Sequence, residues 1–183
     1  MTLTPENARR ILAGADLIVP ASEVSRAVSR LAQEISQRLS SEFPLVLCVM
    51  RGGVIFAGQL LLQLRFPLEV DYLDVTRYGS ATQGGALEWK VTPRTAVAGR
   101  VVLVVDDILD EGTTLAAIRD KVRAAGANAF YSAVFAEKNT GKAKPVEADF
   151  VGVKVPNRYV FGFGMDVRGA WRNLPEIYAL ADQ

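Results

Sequence analysis

The chain has 183 residues, half of them hydrophobic and 22% charged, and its 21 lysines and arginines nearly balance 20 acidic residues. These values are typical of one globular domain and exclude a disordered chain, and the near-neutral charge gives no sign of a nucleic-acid-binding surface. Histidine is absent and Cys48 is the only cysteine, which excludes Ser-His and Cys-His catalysis, an HExxH zinc site and an intrachain disulfide. Any bound metal would therefore have oxygen ligands, which points to Mg²⁺ or a similar hard cation.

The first forty residues are predicted to form two helices separated by a short extended segment. Thr4, Pro5 and Glu6 are typical of a helix start, and this helix is expected to run to about Ala15. Residues 18–20 form either a brief strand or an extended linker. Ser22 is then predicted to cap a longer helix, because apolar residues follow at spacings of four and three: Val24, Val28, Leu31, Ile35 and Leu39.

The middle of the chain alternates between apolar strands and helical segments. Strands are predicted at residues 45–50, 68–76, 101–105 and 129–136, and helices at 54–66, ended by Pro67, and at 114–125, ended by Gly126. Four glycines punctuate the polar stretch 77–99, which is predicted to be a long mobile loop. The alternation predicts an α/β fold with a central, mainly parallel sheet flanked by helices. From Val151 the alternation breaks, and the tail is predicted to form a small lobe over the sheet edge.

Ligands of such folds bind beyond the carboxyl ends of the strands, so the loops at 51–53, 77–95, 106–114 and 137–141 are the candidates for chemistry. The most informative segment places three acids, Asp106, Asp107 and Asp110, after a valine-rich strand. Glu111, Gly112, Thr113 and Thr114 follow and open a helix whose unpaired backbone amides and hydroxyls suit a phosphate. A sugar phosphate fits this arrangement better than the alternative, in which the acids are merely solvated and the threonines merely cap the helix.

A second candidate loop, Met50-Arg51-Gly52-Gly53, follows the first buried strand. Its glycines let backbone amides approach an anion closely, and Arg51 adds a charged donor. A plain strand-to-helix turn is the alternative interpretation.

The segment 101–114 resembles the phosphoribosyl pyrophosphate signature of the type I phosphoribosyltransferases, and the order of the other segments resembles the branch that uses hypoxanthine and guanine. The resemblance covers residues 45–180. It implies Mg²⁺-dependent transfer of 5-phosphoribosyl from phosphoribosyl pyrophosphate to N9 of hypoxanthine or guanine, giving IMP or GMP and pyrophosphate in purine salvage. It also implies one domain over 1–183, with a core at about 40–150. A base-binding hood would comprise about 151–183, with room for an N-terminal contribution.

The resemblance assigns roles on the sugar-phosphate side of the site. Asp106 and Asp107 would contact the ribose hydroxyls with Mg²⁺, and Asp110 would be the general base at the purine N7. Residues 111–114 would grip the 5′-phosphate, with the backbone amide of Glu111 facing the ligand and its carboxylate facing solvent. Arg51, Gly52 and Arg172 would hold pyrophosphate, in a loop with a non-proline cis peptide, and Tyr78 would belong to a loop that closes over the sugar.

On the base side, Lys138 would donate to the 6-oxo group, Tyr159 would stack on the purine and the backbone of Val160 would read the base edge. Asp166 would line the purine site and reach a second Mg²⁺ with pyrophosphate. Phe161 and Phe163, by contrast, are interpreted as core aromatics. The sequence departs from the family pattern at three positions: Arg51 and Arg158 replace a usual lysine, and Arg77 replaces a usual serine.

Several alternatives stay open at the level of sequence. The base could be xanthine or uracil, and some relatives are regulators that sense phosphoribosyl pyrophosphate and bind nucleic acid. We expect an enzyme instead, because the first forty residues do not resemble a nucleic-acid-binding module. No secretory signal or bilayer-spanning apolar run is visible, so a cytoplasmic protein without membrane contact is expected. The family is commonly dimeric or tetrameric, which implies a homodimer or homotetramer.

Overall fold

A computed structural model of the chain describes residues 3–77 and 87–181. The N-terminal part contains α1 (Pro5–Ala13), β1 (Asp16–Val19) and α2 (Ala21–Leu39). The middle contains β2 (Leu45–Met50), α3 (Val54–Leu61), β3 (Glu69–Arg77), β4 (Leu87–Val91), β5 (Val101–Leu109), α4 (Thr113–Ala124) and β6 (Ala129–Lys138). Three strands follow, namely β7 (Phe150–Val155), β8 (Val160–Phe161) and β9 (Ile177–Ala179). None of the helices in these described ranges is long and apolar enough to cross a bilayer.

The larger sheet has six strands in the order β4-β3-β2-β5-β6-β7, and only the edge pair β3–β4 is antiparallel. Successive strand residues point to opposite faces of the sheet, so each buried strand contributes side chains to two hydrophobic cores, one on each face. One face packs against α2 and α3, and the other packs against α4. The expected α/β fold, with a central and mainly parallel sheet flanked by helices, is therefore confirmed.

A second, three-stranded antiparallel sheet in the order β1-β9-β8 forms the small lobe, which we call the hood. Its first strand comes from the N-terminus and pairs with the last strand of the chain, with Asp16 opposite Ala179. The loop between β8 and β9 returns to the main core, where Phe163 packs against Phe135 with ring centroids 4.3 Å apart. Phe161 and Phe163 are both fully buried, which confirms them as core aromatics.

Helix boundaries show what the sequence patterns captured and missed. The apolar stripe of α2 is buried as predicted, but its N-cap is Pro20, and Ser22 lies inside the first turn without capping it. The prediction that α3 reaches residue 66 is wrong, because the helix ends at Leu61. The residue before a proline disfavours helical dihedrals, and the chain must leave the helix before Pro67 to begin β3 at Glu69 beside Leu45.

Two strands of the larger sheet lie where no strand was predicted. Within the stretch predicted as one long loop, Leu87–Val91 forms the edge strand β4, antiparallel to β3. The tail does not leave the sheet at Val151, because Phe150–Val155 pairs in parallel with β6. The C-terminal part of the hood therefore begins after Val155.

Candidate active site

The carboxyl ends of β2, β5 and β6 meet at one edge of the larger sheet and gather the predicted site residues there. The acids Asp106 and Asp107 were expected to follow a strand that ended at Val105, but β5 continues to Leu109. Asp106 is paired with Val134, and Leu109 with Glu137, in the ladder to β6. Both acids are therefore held by the sheet, and only Asp110 lies beyond its end.

Asp106 and Asp107 form a half-buried pair of adjacent carboxyl groups. The backbone amide of Asp107 donates to Oδ1 of Asp106 over 2.8 Å. Burial, and next the charge of Asp107, raises the pKa of Asp106 well above its usual value. Burial also raises the pKa of Asp107, although Arg172, 3.9 Å away, opposes that effect. A cation placed against this pair would relieve both the desolvation and the repulsion.

The Arg51–Gly53 turn passes directly over the acid pair. A Cβ atom at Gly52 would lie 2.0 Å from Oδ2 of Asp107, so a side chain there would displace the Asp107 carboxylate. The peptide bond between Met50 and Arg51 is cis, and the Arg51 side chain is exposed at the rim of the site. The loop therefore presents backbone groups and one guanidinium next to the two carboxyl groups.

The turn before α4 has the geometry of an anion cradle. Gly112 is its N-cap, in the left-handed conformation with φ of 82°, and no side chain caps the helix. Thr113 is thus the first helical residue, and the threonines do not serve as the N-cap. The first amides of an α-helix have no carbonyl partner within the helix, which suits the start of α4 to an anion, and Glu111 is exposed while Gly112 is buried.

These elements surround a first cavity of about 470 Å³. Nine of the predicted residues line it: Arg51, Gly52, Asp106, Asp107, Asp110, Glu111, Gly112, Thr114 and Arg172. Sequence reasoning missed Asp74 and Ile108, which also line it. The register of β3 could have found Asp74, since it lies opposite Met50 at the carboxyl end of the parallel pair.

A second cavity, of about 230 Å³, adjoins the first. Its lining contains the four residues predicted on the base side and four others: Asp107, Ile108, Asp110, Lys138, Tyr159, Val160, Met165 and Asp166. Asp107, Ile108 and Asp110 line both cavities. The Tyr159 side chain is 53% exposed, in contrast to its buried aromatic neighbours, and is open to a ligand.

Two lining residues of the second cavity form an ion pair. Nζ of Lys138 donates to Oδ2 of Asp110 over 2.6 Å, and the lysine side chain is only 13% exposed. Lys138 was expected in the loop after β6 but is the last residue of that strand, because the ladder with β5 continues to Leu109 and Glu137. A cationic donor and an anionic acceptor are thereby held side by side.

Asp166 and Arg172 connect the hood to the first cavity. The guanidinium of Arg172 donates to the Asp166 carboxylate and, over 2.6 Å, to the carbonyl of Gly164. The backbone amide of Gly169 donates to the second oxygen of Asp166 over 2.6 Å. The hydroxyl of Tyr159 donates to the Asp166 carbonyl over 3.1 Å. Hood residues predicted for base and pyrophosphate therefore form one hydrogen-bonded group.

Two of the positions noted in the sequence lie elsewhere. Arg158 lines neither cavity and donates to the Asp16 carboxylate, over 2.6 Å, and to the carbonyl of Leu180. It fastens β1 to the end of the chain. Tyr78 lies outside the residues that the structure describes, and the expectation for it stays a prediction.

The donor set fits a hard cation that shares its ligands with a substrate. Within residues 3–77 and 87–181 no three acidic or cysteine side chains are grouped closely enough to hold a metal alone. Mg²⁺ commonly takes one or two carboxylates and completes its shell with water and phosphate oxygens. Asp106 and Asp107 provide two such carboxylates in the cavity that the turn before α4 also lines.

Comparison with known proteins agrees with this geometry. Residues 15–168 match the family model described as a phosphoribosyl transferase domain. The chain is 32% identical over 165 residues to the hypoxanthine-guanine phosphoribosyltransferase of Bacillus subtilis, covering 90% of this chain and 92% of that protein. A solved structure described as a hypoxanthine-guanine-xanthine phosphoribosyltransferase is 29% identical, with a TM-score of 0.77, covering 91% of this chain and 94% of that one. The hypoxanthine phosphoribosyltransferase of Staphylococcus aureus shares the fold, with a TM-score of 0.87 at 23% identity, covering 93% of this chain and 94% of that one.

Proposed function

Because the chain belongs to the phosphoribosyl transferase family, we propose that it transfers 5-phosphoribosyl from phosphoribosyl pyrophosphate to N9 of hypoxanthine or guanine. The products are IMP or GMP and pyrophosphate. The chain is thus an enzyme of the pentosyltransferase class, and the relatives described above are named as hypoxanthine-guanine and hypoxanthine-guanine-xanthine phosphoribosyltransferases.

The observation that carries the proposal is the junction of two unlike cavities. One is lined by carboxylates, glycines and a helix start, and the other by three aspartates, a lysine, a tyrosine and three apolar side chains. A sugar phosphate suits the first and a planar base suits the second. Because Asp107, Ile108 and Asp110 belong to both, the anomeric carbon and N9 would meet at these residues.

The ion pair between Asp110 and Lys138 matches the edge of a 6-oxopurine. Such a base presents its O6 acceptor next to an N7–H donor, so Lys138 donates to O6 while Asp110 accepts from N7–H. The amino group of adenine would instead face an ammonium that can only donate, which disfavours that base. N9 attacks the anomeric carbon of the ribose as the bond between that carbon and pyrophosphate breaks. Asp110 accepts the proton from N7.

Charge on the departing pyrophosphate requires several cations. Arg51 and Arg172, which both line the first cavity, provide two from the chain. Asp106 and Asp107 would hold one Mg²⁺ and Asp166 a second, and the bound metal supplies positive charge that stabilises the leaving group. The backbone amides of residues 111–114 hold the 5′-phosphate, and the exposed position of Glu111 is compatible with an anion at this turn.

Replacing Asp110 by Asn tests the chemical role of the site. The substitution keeps the size of the side chain but removes the proton acceptor, so kcat with hypoxanthine should fall by about 100-fold or more. Asp120→Asn, at an exposed acid of α4, is the matched control and should keep wild-type turnover. Wild-type turnover in Asp110→Asn would remove that residue from the base role.

A base panel separates the alternative substrates. We would assay steady-state turnover with hypoxanthine, guanine, xanthine, uracil and adenine, each with and without Mg²⁺. Turnover is expected with hypoxanthine and guanine, and only when Mg²⁺ is present. Preferred turnover of xanthine or uracil would reassign the substrate. Binding of phosphoribosyl pyrophosphate without turnover of any base would favour a regulator.

A further inference from the structure

Lys144, outside both cavities, has a side chain that is only 10% exposed. Its ammonium donates to three acceptors: the carbonyl of Lys138 over 2.8 Å, the carbonyl of Leu109 over 3.2 Å, and Oε1 of Glu137 over 3.2 Å. An ammonium has three donors, so these contacts account for all of them. Burial of a lysine charge is unfavourable unless it is fully paired, and this site pairs it.

The acceptors lie where β5 and β6 stop pairing. Leu109 and Glu137 are the last pair of that ladder, and Lys138 is the last residue of β6. Leu109 immediately precedes Asp110. The Lys144 ammonium therefore links the backbone positions that carry both members of the Asp110–Lys138 pair.

The chain around Lys144 also contacts the phosphate turn. A Cβ atom at Gly112 would lie 3.3 Å from Cβ of Lys144 and 3.3 Å from Cδ of Pro145. From α4, Arg119 donates to the carbonyl of Pro145 over 3.3 Å. The segment between β6 and β7 thus rests against the turn predicted for the 5′-phosphate.

We propose that Lys144 is a positioning residue, which fixes Asp110 and Lys138 relative to each other and to the phosphate turn. The inference rests on the proposed function, because it assigns Lys144 to the same reaction without contact to either substrate. The Asp110–Lys138 pair must match two neighbouring atoms of the purine edge. A displacement of about 1 Å in such a pair is enough to lower a rate by about 100-fold.

The test compares Lys144→Met with Lys142→Met, a matched change at an exposed lysine of the same segment. Methionine keeps most of the stem and removes the ammonium, so kcat should fall at least tenfold and KM for the base should rise. KM for phosphoribosyl pyrophosphate should change less than threefold. Lys144→Arg, which restores charge and donors, should recover most of kcat, and Lys142→Met should behave as wild type.

Three results would overturn the proposal. The first is a kcat of Lys144→Met within twofold of wild type. The second is a loss that equals the unfolded fraction measured by circular dichroism, because that would show a purely structural role. If Lys144→Met does not fold, Lys144→Gln is measured in its place. The third overturning result is a wild-type kcat in the folded Lys144→Gln variant. A wild-type enzyme that forms no nucleotide would instead contradict the proposed function itself.

Discussion

The acid pair Asp106–Asp107 shows how a single pair of side chains can favour ligand binding over stability. Burial disfavours the charged form of each carboxyl group, and the close approach of Gly52 to the Asp107 carboxylate contributes to that burial. The charged pair is therefore unfavourable in the unliganded protein. A bound cation would reverse that effect.

Asp106→Asn should stabilise the unliganded protein while weakening its binding of Mg²⁺ and phosphoribosyl pyrophosphate. The amide oxygen can still accept from the Asp107 amide, but the negative charge is gone. The midpoint of thermal unfolding at pH 7 should rise by a few degrees, since about 1 kcal/mol shifts it by about 2–4 °C in a domain of this size. The exposed Asp120→Asn serves as control.

The pH dependence of this difference has a definite sign. The folded-state pKa of Asp106 lies above its usual value of 3.8, so folding is favoured by protonation, and stability is lost as pH rises through the raised pKa. Asp106→Asn lacks that loss. Its advantage over wild type should therefore be absent below about pH 3.8 and grow with increasing pH, in thermal scans without ligand. A constant or shrinking advantage would contradict the raised pKa.

At the residue scale, motif and spacing predicted which side chains gather at the site but not their mutual contacts. The pairing of Asp110 with Lys138 depends on the register of β5 and β6, which no local pattern reveals. Lys144 was not singled out, because sequence does not distinguish it from the exposed Lys142 two positions earlier. The difference arises only when the segment folds back onto the strand ends.

At the element scale, buried strands and the amphipathic α2 were predicted because their hydrophobic patterns are continuous. Strands β4 and β7 were missed for identifiable reasons. β4 is a charged edge strand whose residues alternate between half-buried and exposed, inside a stretch rich in glycine. β7 contains Gly152, which weakens a strand pattern but is required for packing.

Gly152→Ala should destabilise the larger sheet. Its Cβ atom would lie 2.4 Å from the carbonyl oxygen of Phe135, a backbone atom of the neighbouring strand. Overpacking of this kind costs about 1–3 kcal/mol, so the unfolding midpoint should drop by several degrees. Gly14→Ala, whose Cβ atom would meet nothing closer than 3.6 Å, should stay close to wild type. Equal midpoints for the two variants would contradict the close approach of β6 and β7.

At the scale of the whole molecule, the fold class was predictable from the alternation of strands and helices, but the strand pairing within the hood was not. β1 pairs with β9 at the opposite end of the chain, and the indole of Trp171 donates to the carbonyl of Ala8 in α1 over 2.8 Å. Contacts over such sequence distances leave no periodic signal. They place the residue before Arg172 against the N-terminal helix.

We expect the chain to form a homodimer or homotetramer. In α3, Val54 is 43% exposed, and Leu62, directly after the helix, is 75% exposed, although both are apolar. Light scattering should give about two or four times the chain mass of 19.8 kDa. Leu62→Glu should lower that mass, while Gln63→Glu, one position further, should not. A monomeric wild type would contradict the expectation.

The central claim is that a phosphorylated ribose and a 6-oxopurine meet where the two cavities join. A crystal structure with phosphoribosyl pyrophosphate, Mg²⁺ and 9-deazahypoxanthine, which lacks the attacking nitrogen, tests it directly. The account predicts the 5′-phosphate on the amides of residues 111–114 and the base beside Tyr159, with O6 on Lys138 and N7 on Asp110. A sugar phosphate bound elsewhere, or a base outside the second cavity, would contradict it.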